Sequence, residues 1–260
     1  MAHAGGRYDR TRILEAAARA RAKRQRRRAI ELYRWVLAVE RNSVEVHERM
    51  APLLAETGQE FDAWNSYRAV AYAALREGRE DRAIAVYREA TRALPHEIQA
   101  WQGLARLLVR QGADEEAVAV LIEGSRNFRA HWNRPQAIHL LRRARAVDPW
   151  NFETVVELAL HLGRAGQRIE ALLLLEGLSD RYPGERLRRI RAAELAVAPG
   201  PRALWAWLQS WLRRPEPEPA RSLGAPLLTL APSGDSGGRD EPLEIEPDRA
   251  DADLPASLAR

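Results

Sequence analysis

The chain has 260 residues, 46% of them apolar and 30% charged, with a formal net charge of +5. That much apolar material can fill the core of one or two domains and excludes a globally disordered chain. The absence of cysteine excludes a disulfide framework, thiolate metal sites and a cysteine nucleophile.

Ala, Leu, Arg and Glu dominate while β-branched residues are sparse, which predicts an all-α fold. Residues 1–26 read as a basic N-terminal arm or helix extension. Residues 1–28 hold ten Lys or Arg against only Asp9 and Glu15. This stretch has no apolar signal-like core, and no later segment approaches the roughly 18 to 20 apolar residues of a membrane span. The expected location is therefore the cytoplasm. Lys23 is the one lysine among 41 basic residues, a codon-level pointer to a GC-rich, bacterial genome.

From about Arg12 to Arg214 the pattern predicts successive helices of 12 to 17 residues. Gly58, Gly78, Gly112 and Gly166 fall where left-handed C-caps are wanted, and Pro95, Pro149 and Pro183 stop other helices. Pro149 and Pro183 are 34 residues apart, as are Ala83 and Ala117. Residues 64–97 carry Tyr67, Val70 and Ala71 on a first helix, Gly78 at a turn, Ala83, Tyr87 and Ala90 on a second helix, then Pro95. Residues 98–131 repeat the pattern through Trp101, Leu104, Ala105, Leu108, Gly112, Ala117 and Leu121, and residues 152–185 through Val155, Leu158, Ala159, Leu162, Gly166, Ala171, Leu175 and Pro183. The stretch 27–185 thus resembles the tetratricopeptide repeat family, with Gly124 and Arg129 departing from the usual alanine and proline. The resemblance implies a right-handed α-solenoid of stacked antiparallel helices.

Small residues at 29, 63, 83, 117, 137 and 171 are spaced alternately by 34 and 20, so the larger period is 54. Residues 28–33, 82–87 and 136–141 align at that offset, as do Gly58, Gly112 and Gly166. Three copies of a three-helix unit follow, with helices near 60–77 and 114–129 each serving two overlapping motifs. Residues 186–214 read as closing helices whose Trp205, Trp207 and Trp211 would cover the last apolar face. Residues 215–260 hold eight of fifteen prolines and ten acids against four arginines, which predicts a disordered acidic tail. Two short apolar islands, 226–230 and 243–245, sit within it as weak docking-segment candidates.

Signatures of catalysis are missing: there is no P-loop, no dinucleotide-type glycine turn and no Gly-x-Ser-x-Gly elbow. His47 and His96 each precede a glutamate as in a zinc-protease helix, but Ala51 and Ala100 stand where a second imidazole would be needed. His131 and His139 lack a third ligand nearby, and Glu115-Glu116 suits the first turn of a helix. The expectation is a non-enzyme with neither cofactor nor metal.

The family resemblance implies a concave surface for a protein partner, lined by the first helices of the motifs. On helices 64–77 and 98–111 this selects Asn65, Arg68, Tyr72, Arg76, Gln102, Arg106 and Arg110. Arginines with amides and an aromatic suit an acidic peptide, through charge-assisted and bidentate hydrogen bonds. The chain's own acidic tail is a second occupant with the same chemistry. A different reading gives Arg24, Arg26, Arg27 and Arg28 the role of phosphate contacts to nucleic acid.

Overall fold

The computed structural model describes residues 8–212, so the acidic tail, its apolar islands and residues 1–7 lie outside the described residues. Twelve α-helices and no strand occur among the described residues: α1 (Arg10–Ala22), α2 (Arg26–Val39), α3 (Val44–Glu56), α4 (Glu60–Arg76), α5 (Glu80–Ala93), α6 (Ile98–Arg110), α7 (Asp114–Ser125), α8 (Arg134–Val147), α9 (Phe152–Arg164), α10 (Arg168–Ser179), α11 (Glu185–Val197) and α12 (Pro201–Leu212). A 3₁₀ turn, His131–Asn133, precedes α8.

Side chains and glycines set the helix ends. The Asp9 carboxylate accepts from Arg12 N at 3.1 Å, and the Asn151 side chain accepts from Thr154 N at 3.1 Å. At the other end Gly58, Gly112 and Gly166 take φ of +75°, +76° and +85°. This left-handed turn lets Gln59, Ala113 and Gln167 N–H donate back to the carbonyls of Leu54, Leu108 and Leu162, each at 2.9 Å. Three helices therefore close with the same Schellman geometry at positions 54 residues apart.

The core follows the same period. Ala29, Ala83 and Ala137 are fully buried, as are Ala63, Ala117 and Ala171, and their smallness lets neighbouring helices cross closely. Leu54, Leu108 and Leu162 fill the adjoining space. The surface repeats as well: Arg34 pairs with Asp62 at 2.6 Å, Arg88 with Glu116 at 2.5 Å and Arg142 with Glu170 at 3.0 Å. Each pair joins the first helix of a 54-residue set to its third. All six side chains are half-exposed, so each bridge contributes about 0–1 kcal/mol and fixes register more than it stabilises. A second set exchanges its charges: Arg26 pairs with Glu56, Glu80 with Arg110, and Arg134 donates to the Arg164 carbonyl.

Each helix packs on the next, and α3 with α5, α6 with α8, α7 with α9 and α9 with α11 also touch. Odd- and even-numbered helices accordingly form the two layers of an α-solenoid. Because each 54-residue set contains three helices, an odd number, equivalent helices fall in alternate layers. α3, α6 and α9 are equivalent in sequence, yet α6 stands opposite the other two.

Three local expectations are adjusted. The helix expected to reach residue 129 stops at Ser125, because Phe128 turns inward to pack edge-on against His96, with ring centroids 6.1 Å apart. Residues 10–22 are a helix of their own, with Leu14, Ala17 and Ala20 buried and a break at Arg24, whose φ is +55°. Trp205, Trp207 and Trp211 do not together cover the last apolar face: Trp207 is half-buried, while Trp205 and Trp211 remain 60% and 57% exposed. Residues 205 and 207 are about 200° apart around a helix, so one face cannot take both.

Candidate functional site

The two layers differ in chemistry. Every large apolar side chain exposed on a described α-helix lies on an even-numbered one: Trp35 and Val39 on α2, Phe61 and Tyr72 on α4, Val109 on α6, Ile169 and Leu173 on α10, and a group on α12. Charge divides in the same way. From α2 to α10 the even helices carry thirteen arginines against five acids, and the odd helices five arginines against twelve acids. α6 and α8 bear six arginines and no acid at all. Between α2 and α10 one layer is thus basic with exposed apolar groups and the other acidic, whereas α1 and α11 of the odd layer carry eight arginines against three acids.

The expected groove residues all lie on the basic layer, but in two groups. Arg68, Tyr72 and Arg106 act electrostatically on Tyr87, whose buried ring packs against α4 and α6. Trp64 is on one side of it, with ring centroids 6.1 Å apart, and Gly103 on the other. Burial raises the Tyr87 hydroxyl pKa, Tyr72 adds to the rise, and the Arg106 and Arg68 guanidiniums oppose it. The Asn65 side chain accepts from Arg68 at 3.1 Å and orients it. Arg110 is engaged elsewhere, donating to Glu80 at 2.6 Å, and Arg76 stands exposed at the end of α4.

Gln102 and Arg106 also line a cavity of about 230 Å³ between α6 and α8. Its floor is apolar, made by Ala105, Val109, Leu121, Ala146 and Val147, and Arg143 stands opposite Arg106 at its rim. The family-based reading passes over Arg143 because it assigns α8 to the second-helix layer. The signal that finds it is the helix count, which places α4, α6 and α8 together. A small apolar pocket flanked by guanidiniums can seat an apolar side chain while pairing with carboxylates beside it.

Arg24, Arg26, Arg27 and Arg28 line a separate open depression with Gln25 and Thr57. Arg26 is paired with Glu56. Three arginines in the first turn of α2 oppose the positive end of the helix dipole, an arrangement that an anion would relieve.

His47 bridges Ser66 Oγ at 3.3 Å and the Arg41 carbonyl at 3.1 Å, and the described residues contain no group of three or more His, Cys, Asp or Glu able to hold a metal. The Tyr67 hydroxyl donates to Glu89 at 3.1 Å, and burial, the Glu89 charge and that hydrogen bond together raise its pKa. No described helix is long and apolar enough to cross a membrane.

The sequence model of the tetratricopeptide repeat matches residues 74–131, from the last turn of α4 to the 3₁₀ turn. Among solved structures, the nearly identical TPR-like repeats of a candidate kinesin light chain from Podosopora anserina share 19% identity, with 75% of this chain and all of that chain covered and a TM-score of 0.36. A TPR repeats protein from Bacteroides fragilis shares 10% identity over 78% of this chain and 98% of that one, with a TM-score of 0.40. Yeast Tom70 shares 18% identity over 65% of this chain and 42% of that one, with a TM-score of 0.28. The curated proteins give no match.

Proposed function

We propose that this chain, an α-solenoid whose residues 74–131 match the tetratricopeptide repeat, is a non-enzymatic cytoplasmic adaptor binding an acidic protein segment on its basic layer. The asymmetry between the layers carries this reading. Between α2 and α10 arginines and exposed apolar side chains coincide on one side of the stack, and carboxylates concentrate on the other. The centre of the surface is the α6–α8 pocket with Arg106 and Arg143, extended over Arg68 and Tyr72 on α4. A partner segment with an apolar residue between carboxylates fits both features.

The test is binding of an acidic, leucine-containing peptide followed by fluorescence anisotropy. Charge-assisted hydrogen bonds contribute roughly 1.5–3 kcal/mol each, so Arg106→Glu with Arg143→Glu should weaken binding by at least about tenfold. Arg92→Glu, on α5 of the acidic layer, should leave it unchanged. Equal affinity for all three proteins would eliminate the reading.

A second reading rests on the opposed dipole of α2: Arg24, Arg26, Arg27 and Arg28 contact nucleic-acid phosphates. Four such contacts give a log–log salt dependence of slope about −3.6 on duplex DNA, at about −0.9 per phosphate. Reversing all four charges should flatten that slope. Binding to duplex or single-stranded probes that is unaffected by the reversal would remove this reading.

A further inference from the structure

We infer that α12 is a self-association surface that pairs with α12 of a second copy of this chain around a twofold axis. Leu204, Trp205, Leu208 and Leu212 recur at helical spacing and form one stripe, with Trp211 at its border, and all five are exposed. Of the twelve residues of α12 only Ser210 is buried. The helix therefore rests on α11 by a narrow face and leaves its broad apolar face open.

The indole at the border is held in place. Trp207 and Trp211 pack edge to face with centroids 6.1 Å apart, and the Arg188 guanidinium lies 4.8 Å from the Trp211 ring centroid. Arg188 Nε also donates to the Ser210 carbonyl at 3.2 Å, pinning the last turn of α12 to α11. A side chain already ordered loses little freedom on association, which favours such groups as interface anchors.

Charge, geometry and area select a second copy as the occupant. Arg202 is the only charged residue of α12, so the acidic partner suited to α6 and α8 gains little here. A twofold interface brings each group near its own copy, which penalises charged stripes and not apolar ones. Two α12 helices related by an axis perpendicular to them run antiparallel, which repeats across the axis the packing that every helix in this stack makes with the next. Each indole presents roughly 150–250 Å² when fully bare, and over half of both Trp205 and Trp211 is exposed. With the three leucines, two facing stripes can remove on the order of 1,000 Å² from water, the low end of what a specific dimer needs. This surface does not depend on the arginine-bearing face of α4, α6 and α8, and either assignment can fail without the other.

Sedimentation equilibrium of the full chain, from submicromolar to tens of micromolar, tests the inference. The expected result is a monomer–dimer equilibrium that persists at ~1 M salt, where electrostatic attraction is screened within about 3 Å. The exposed pair Trp205→Asp with Leu208→Asp should abolish the dimer, with unchanged helical circular dichroism showing that the fold is retained. A wild type that is monomeric throughout overturns the inference. So does a dimer indifferent to the two substitutions, or one that disperses in salt and so belongs to the oppositely charged layers.

Discussion

Replacing Trp101 with Ala is expected to lower the free energy of unfolding by about 3–5 kcal/mol, the range for emptying a large aromatic site. Trp101 is buried at the centre of the stack, and its Nε1 donates to the Pro95 carbonyl at 3.0 Å. The substitution removes the ring and that hydrogen bond together. Equilibrium unfolding in urea measures the loss, and a change below 1 kcal/mol would show that the ring is peripheral.

The partner of this ring makes the prediction sharper. A Cβ on Gly124 would sit 2.7 Å from Trp101 Cδ2, closer than packed carbons allow, and the indole cannot easily retreat because its N–H is tethered. Gly124→Ala gains at most about 1 kcal/mol of helix propensity and costs roughly 1–3 kcal/mol through overpacking, so the net effect should be destabilising. Once Trp101→Ala has removed the ring, only the propensity gain remains. The same Gly124→Ala change should then stabilise. A reversal of sign in the double-mutant cycle is the signature of direct contact, and simple additivity would refute it.

That contact marks the limit of what the sequence discloses. The repeat was legible because close helix crossings demand alanine and left-handed caps demand glycine, so Ala29, Ala83 and Ala137 and Gly58, Gly112 and Gly166 recur wherever the backbone does. The bridges of Arg34, Arg88 and Arg142 recur at the same spacing. Gly124 stands where the family pattern has alanine, and only the position of the Trp101 ring supplies its reason.

The candidate site was legible in part, and the obstacle was counting. Helical periodicity shows which side of a helix faces inward, not which layer the helix joins. Arg68, Tyr72, Gln102 and Arg106 were selected because α4 and α6 sit as the family rule implies. Arg143 was passed over because a three-helix unit moves α8, the counterpart of α2 and α5, into the layer of α6. The division of charge between layers follows the same parity. It becomes visible only when helices are numbered and their charges sorted by odd and even, since the basic α6 and α8 flank the acidic α7 and a running average blurs them.

Acid should destabilise the fold through His161 specifically. This imidazole is buried in α9, its Nδ1 has no partner among the described residues, and its pKa is lowered to about 4 from an ordinary 6.5. Burial is the main cause, and the nearby Arg164, Arg134 and Arg129 add to it by repelling a second positive charge. A depressed histidine favours folding while it stays neutral. Between pH 6.5 and about 4 the unfolded chain takes up a proton that the native ring refuses, so stability falls as pH falls and the loss levels off below the native value. At about 1.4 kcal/mol per unit, the full loss is on the order of 3 kcal/mol. His161→Leu keeps the site filled and removes the titration. The gap in stability between variant and wild type should therefore widen in the variant's favour by a few kcal/mol on going from neutral pH to the acid end of this window. Urea unfolding at the two pH values decides the matter: parallel pH profiles would mean that the proton is accommodated elsewhere, and a widening gap would identify His161 as the group whose neutrality the fold requires.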